Sequence, residues 1–383
     1  MKSPLDAHLM YAPAFTLKDI SLLQPNSFLR RAGQWLLDSG IQAPGGGVAR
    51  YYRSDVETNR RVSTEITGYA LSAFTFLHRV TGEARHLEAA GRAARFLVST
   101  AWNRGLEIFP FEPTENGDRA PAPAYFFDSG IIARGLLAAW RTTNASEWLA
   151  AAGRTADSMA RDFGGVSAPH PILLLPDKSP APAEGTWSQQ PGCYQLKSAL
   201  AWYDVYEATG KERYRQHYEE TLAYTLGTHR SFLPGDTDPH RVMDRLHAYC
   251  YFLEGLLPCL DRPECAEAAR WGIGKVGQLL REIAPGFERS DVCAQLLRAR
   301  LFADALGAVP LDREAAEEEA RRAASYQVQS EDPRMDGGFL FGRRDGELIP
   351  HVNPVSTAFC LQALVMWHQY LDGAFKPERR ELI

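Results

Sequence analysis

The sequence predicts an all-α fold, an (α/α)6 toroid in which six apolar inner helices are ringed by six amphipathic outer ones. Three observations carry this. Richly apolar helical runs recur six times along the 383 residues, and most are followed by a more charged helix. Markers of the successive inner-helix starts, Glu65, Asp128, Tyr194, His247, Asp291 and Asn353, lie 63, 66, 53, 44 and 62 residues apart. Such unequal spacing places the variation in the loops, whereas a solenoid keeps its period more strictly and needs polar caps at both ends.

Residues 1–25 read as an irregular N-terminal segment and residues 26–383 as one toroid domain. The first helix is "NSFLRRAGQWLLDSG", with Asn26 as its N-cap and Gly40 closing it. The Gly-rich, aromatic and charged loop "APGGGVARYYRSDVETNRRVS" follows. From Ser63 the pattern becomes regular: "STEITGYALSAFTFLHRVTGEARHLEAAGRAARFLVST" is an apolar helix, a T-G turn and an Ala-rich amphipathic helix. Five further inner runs are "YFFDSGIIARGLLAAWRTT", "CYQLKSALAWYDVYEATG", "LHAYCYFLEGLLPCLD", "DVCAQLLRARLFADALG" and "VSTAFCLQALVMWHQYLDG". The sixth has no outer partner after it, so the unpaired first helix is expected to pack beside it and close the ring. Helices apolar nearly all round belong inside and single-striped ones outside. Inner helices then run parallel, and their N-terminal ends share one mouth.

Composition narrows the function. The chain is 45% hydrophobic and 11% aromatic with a formal net charge of -5, and its Lys and Arg are scattered among Asp and Glu. That pattern gives no basic stripe for a polyphosphate partner and argues against nucleic acid as the main ligand. Cys193, Cys250, Cys259, Cys265, Cys293 and Cys360 form no C-x-x-C pair and read as reduced core residues. Without an apolar signal-peptide core or a run of roughly 20 apolar residues, no membrane span is expected and a cytoplasmic protein is the default. The loops "PGGGVARYY" and "MDGGFLFGRRDGE" do not join a strand to a phosphate-binding helix, and no cofactor is expected. They read as hairpin turns over the mouth.

The phrases "STEITGYALSAFTFLHRVTGEARHLEAAGRAARFL" and "FFDSGIIARGLLAAWRTTNASEWLAAAGRTADSMA" resemble the six-hairpin glycosidase-like superfamily, and in particular bacterial proteins associated with surface-polysaccharide metabolism. The resemblance covers nearly the whole chain from about Asn26. It implies the toroid fold and a carbohydrate ligand, with glycoside hydrolysis first among the activities and uronate elimination or epimerisation second. A glycan-binding protein without catalysis is the third reading, since one fold hosts many functions.

Each candidate residue has a chemical and a structural reading. Glu65 and Asp128 open adjacent inner helices, where one carboxyl can donate a proton to a leaving oxygen and the other can activate water or attack carbon. The structural alternative is helix capping. His247 and Tyr251 lie one helical turn apart and suit proton abstraction from a uronate, or packing within a helix start. Tyr194 and Gln195 offer a hydroxyl and an amide to a sugar. Arg60, Arg61 and Arg298 can bind a substrate carboxylate. Arg298 falls seven residues after Asp291 on an apolar helix, so it needs either an inward partner or an outer-helix Glu. Trp187 is a stacking platform for a sugar face. Asp291 is a further binding residue, and with Cys293 it forms a D-x-C resembling part of a prenyltransferase zinc site. The position where that pattern expects His is Ser356, with His351 only in the preceding loop, so no metal is assigned.

Overall fold

A computed structural model describes residues 25–113, 122–166, 168–183, 186–233, 238–284 and 286–383, which form twelve α-helices. The segment expected to be irregular, residues 1–25, lies outside them except for Pro25. The inner helices are α2 (Thr64–Thr81), α4 (Phe126–Thr143), α6 (Gln195–Thr209), α8 (Pro239–Gly255), α10 (Ser290–Ala305) and α12 (Pro354–Leu371). The outer ones are α1 (Pro25–Asp38), α3 (Ala84–Phe96), α5 (Ser146–Asp162), α7 (Glu212–Phe232), α9 (Pro263–Ile283) and α11 (Arg313–Ala324). Because α1 begins at Pro25, Asn26 falls inside the helix.

Inner and outer helices differ as their sequences require. In α10 every residue from Ser290 to Ala303 is buried, whereas α3 buries mainly an alanine stripe, Ala89, Ala90, Ala93 and Ala94. Glycines bring inner helices into backbone contact. A Cβ on Gly130 of α4 would sit 2.5 Å from the Cα and the carbonyl oxygen of Ser198 in α6, so only glycine fits there. The six cysteines are free and buried.

The ring closes where the unpaired helices meet. Helix α12 packs against both α1 and α2. The Trp35 indole donates to the Arg334 carbonyl at 2.8 Å, and the Gln327 amide donates to the Phe28 carbonyl at 3.0 Å. Both bonds tie α1 to the segment that precedes α12. Among the described residues, no helix is long and apolar enough to cross a membrane.

Short antiparallel strands decorate the mouth. Strands β1 (Val48–Ala49) and β4 (Val62–Ser63) pair before α2, while β2 (Tyr52–Arg53) lies between β3 (Thr58–Asn59) and β11 (His351–Val352). The last pairing stitches the sixth hairpin to the first. Strand β5 (Ala124–Tyr125) pairs with β6 (Ile172–Leu174), which pairs with β7 (Ser179–Pro180). Strand β8 (Phe287–Arg289) pairs with β9 (Gly342–Arg344), whose other neighbour is β10 (Glu347–Leu348). Between β9 and β10, Asp345 and Gly346 have φ of 48° and 85°, the Asp-Gly pair that tight hairpins prefer. The two glycine-rich loops of the sequence are therefore strand hairpins at the mouth. Strands β4, β5 and β8 run straight into α2, α4 and α10, so sheet register sets the height and direction of each first-turn side chain.

Candidate functional site

Two carboxyl groups come together where α2 and α4 begin. Ser63, the last residue of β4, caps α2 by accepting from the Ile66 N–H at 3.4 Å, and the Thr64 hydroxyl donates to the Pro110 carbonyl at 2.8 Å. Glu65 is therefore not needed as a cap, and among the described residues it has no hydrogen-bond partner. Tyr125 is the N-cap position of α4 and makes no side-chain cap bond, which leaves Asp128 in the first turn. Asp128 is 4% exposed, and its Oδ2 is buried without a partner.

A carboxylate without a partner in a buried or half-buried place is costly, so both Asp128, which is buried, and Glu65, which is half-buried, hold their protons more tightly than usual. Burial pushes the Glu65 carboxyl up to about 7, opposed by the Arg50 guanidinium. Asp128 is pushed well above the ordinary carboxylate range, first by burial and then by the Glu65 charge, again opposed by Arg50. Repulsion from Glu65 adds to the burial of Asp128, an arrangement that can divide two carboxyls into an acid and a base. Arg50, just past β1, sits against the Phe111 ring at 4.9 Å and pairs with Glu112 at 3.2 Å.

A polar and aromatic band continues across the mouth. The Tyr69 hydroxyl of α2 donates to the Tyr251 hydroxyl of α8 at 3.0 Å, and both phenols feel the Glu65 charge. The Tyr251 ring packs against Phe127 and His247, each at 4.6 Å. His247 Nδ1 lies 2.8 Å from Gln295 Oε1, so it donates and leaves Nε2 as the basic nitrogen. Burial, helped by the Arg289 charge, lowers the His247 pKa to about 4 and keeps the ring neutral. Asp291 lies 3.7 Å from His247 but is clamped by Arg289, which donates to Oδ1 at 3.0 Å and to Oδ2 at 2.7 Å. The clamp and His247 together hold the Asp291 carboxylate below its usual range despite burial.

The candidates thus divide. Asp128, Glu65, Tyr251, His247 and Asp291 belong to one connected band. His247 does not start its helix, because Asp238 caps α8 and Pro239 opens it, adding two turns that the charged "PHRVMDR" had concealed. Even so, His247 stands level with the first turn of α10 through Gln295 and Asp291. Tyr194 and Gln195 serve the loop before α6. The Tyr194 hydroxyl donates to the Ser188 and Gln190 carbonyls at 3.2 and 3.1 Å, while the Gln195 amide donates to the Pro169 carbonyl at 2.8 Å and its oxygen accepts from the Gly192 N–H at 3.0 Å. Trp187, half-buried, packs edge-on against Tyr194 at 5.0 Å and helps build that loop.

Arg298 is not at the mouth. It is wholly buried on the toroid axis, donating to Glu254 at 2.5 Å and to Gln362 at 3.0 Å, while Lys197 donates to the other Glu254 oxygen at 2.7 Å. This inward cluster holds Arg298 wholly buried, with only its Nε lacking a hydrogen-bond partner. The outer-helix alternative is realised by its neighbour Arg300, which donates to Glu319 of α11 at 2.9 Å. Arg60 and Arg61 are exposed at the rim, with Arg61 3.3 Å from Glu112. The D-x-C pair is split: Asp291 faces Arg289 while Cys293 is fully buried. Among the described residues, no group of three His, Cys, Asp or Glu side chains is placed to hold a metal.

Sequence reasoning missed Arg50 and Arg289. Each ends or follows a strand of only two or three residues, too short to show a period, and only the pairing of that strand aims it at the carboxylates.

No protein-family model matches the chain, and no curated protein does. Solved structures do match. A D-mannose isomerase is 10% identical over 92% of this chain and 99% of its own, with a TM-score of 0.64. The cellobiose 2-epimerase of Spirochaeta thermophila DSM 6192 is 15% identical over 92% and 99%, also at 0.64. A GH76 α-mannanase of Bacteroides thetaiotaomicron is 11% identical over 93% and 99%, at 0.61. These likenesses establish the fold, a six-hairpin (α/α)6 toroid.

Proposed function

We propose that the protein processes a carbohydrate as a glycoside hydrolase, with Asp128 as general acid and Glu65 as base or nucleophile. One feature carries the reading: two neighbouring carboxyls at the toroid mouth, both raised above the ordinary carboxylate range, first by burial. Asp128 gives its proton to the glycosidic oxygen as the C–O bond breaks. The ionised Glu65 then takes a proton from the water that attacks the anomeric carbon, or itself bonds to that carbon before water replaces it. Phe127, Tyr251 and Phe111 supply aromatic surface for sugar faces, and Arg50 limits the charge of the pair. The mannanase among the matching structures supports this use of the fold.

A second reading rests on His247, whose neutral ring and unprotonated Nε2 beside the Tyr251 hydroxyl suit removal of a proton next to a sugar carbonyl or uronate carboxylate. It leads to epimerisation or elimination, and the epimerase and isomerase among the matching structures support it.

One experiment separates them. Neutral and uronic oligosaccharides are incubated with the wild type, Asp128→Asn and His247→Gln, and the recovered sugars are analysed by mass and ultraviolet absorbance. Hydrolysis gives shorter sugars that have gained one water and is abolished in Asp128→Asn. Epimerisation gives an isomer of unchanged mass, elimination gives an ultraviolet-absorbing unsaturated product, and both depend on His247. Sugars bound but recovered unchanged reduce the protein to a glycan binder.

A further inference from the structure

The end of the toroid away from the mouth holds a cavity of about 510 Å³ between the C-terminal halves of α2 and α4 and the segment 378–382. Its walls combine the guanidinium groups of Arg79, Arg134, Arg141 and Arg380 with the Phe76 ring and the hydroxyl of Thr142. The charges around it do not balance. Five cations, Arg79, Arg134, Arg141, Arg379 and Arg380, face four carboxylates, Asp204, Glu207, Glu378 and Glu381.

Four of the cations have partners. Arg79 pairs with Glu381 at 2.6 Å, Arg134 with Asp204 at 3.0 Å, and Arg380 with Glu207 at 3.1 Å, while Arg379 bridges Asp204 and Glu207. Arg141 is the surplus. Among the described residues it has no carboxylate within ion-pair distance, and its Nη1 is buried without a hydrogen-bond partner. Burial and the charges of Arg134, Arg379 and Arg380 make its charged form unusually unfavourable, with Asp204 only partly offsetting them. The C-terminal end of α4 attracts a cation to this position, and the half-buried Arg141 side chain lines the cavity.

We infer that this cavity is a second ligand site, which binds a sugar-sized molecule bearing one oxyanion group, phosphate or carboxylate, on Arg141. A guanidinium matches either group through two parallel hydrogen bonds. The volume lies within the range of small-molecule sites and exceeds what a bare phosphate fills. The Thr142 hydroxyl already donates to the Ala138 carbonyl at 2.9 Å, so it accepts from a ligand hydroxyl, and Phe76 offers an apolar wall. The site is separate from the carboxyl pair and does not depend on the reading proposed for it.

The test uses the full chain at constant ionic strength, with inorganic phosphate, glucose 6-phosphate, glucuronate and glucose as probes, read by calorimetric binding and by thermal melting. At least one of the anionic probes is expected to bind and raise the melting temperature, and glucose is expected to do neither. Arg141→Gln should weaken that binding at least tenfold while melting no lower than the wild type without ligand, because it removes a half-buried charge with no ion-pair partner among the described residues. Asp128→Asn should keep the response, which separates this site from the mouth. A preference for glucose 6-phosphate or for glucuronate identifies the oxyanion. If Arg141→Gln does not fold, Arg380→Gln at the exposed rim is expected to weaken binding several-fold. Anions that do not bind, bind Arg141→Gln equally well, or bind no better than glucose overturn the inference.

Discussion

Replacing Glu65 by Gln is expected to stabilise the protein, and to do so only at neutral and alkaline pH. A carboxyl held at about 7 instead of its ordinary 4.5 ionises in the folded state at a cost of roughly 3 kcal/mol. The sign follows from linkage. Below 4.5 the group is protonated in both states, and between 4.5 and 7 the unfolded chain ionises while the folded one does not. Wild-type stability therefore falls through that window and stays at the lower level above it. Gln keeps the shape of the protonated side chain and has no such slope. It also removes the charge that raises Asp128, an effect of the same sign. For a chain of this length, about 3 kcal/mol corresponds to roughly 4 °C in melting temperature. Thermal denaturation of both proteins at pH 4 and pH 8 is the assay. The difference should be near zero at pH 4 and several degrees in favour of Glu65→Gln at pH 8. A variant that melts lower than the wild type at pH 8, or shows the same difference at both pH values, refutes the reasoning.

Other outcomes follow from the same physics. Gly130→Ala places a methyl 2.5 Å from the Ser198 backbone, which cannot move aside, and should cost about 1–3 kcal/mol in chemical denaturation. Glu254→Gln removes the carboxylate shared by Arg298 and Lys197, both fully buried, leaving them only the Ile383 and Gln362 oxygens, and should cost about 3–5 kcal/mol by the same measurement, more than any rim substitution such as Arg60→Gln. Arg289→Met removes the cation that lowers the His247 pKa and frees the Asp291 carboxylate, so the imidazole midpoint followed by NMR should rise from about 4 by at least one pH unit.

The fold could be read from the sequence because each inner helix is apolar on most sides and each outer helix on one, a difference that survives unequal loops. The meeting of Glu65 and Asp128 was also legible, since both occupy the same phase at the start of neighbouring inner helices. Where a helix began outside its apolar run, the reading failed: Asp238 and Pro239 start α8 two turns before His247, in a stretch as charged as a loop. Arg298 illustrates the limits of periodicity. Spacing left it either inward with a buried partner or outward on an outer-helix Glu, and only the packed ring shows that it points inward, with Glu254 on the adjacent inner helix as its partner. Tyr194 and Gln195 open α6, yet the loop before that helix needs their polar groups for its own carbonyls and N–H. Arg50 and Arg289 acquire their positions from pairings of strands only two or three residues long, β1 with β4 and β8 with β9, and neither has a local signature.

The central claim is that Asp128 and Glu65 share a proton at neutral pH. Carboxyl ¹³C NMR of the two side chains from pH 3 to pH 10 tests it without knowledge of the substrate. Glu65 should titrate near 7 and Asp128 should remain protonated well above the usual carboxylate range, with Asp128 moving down when Glu65 is replaced by Gln. Two carboxyls that are both ionised by pH 5, or that titrate independently of one another, contradict it.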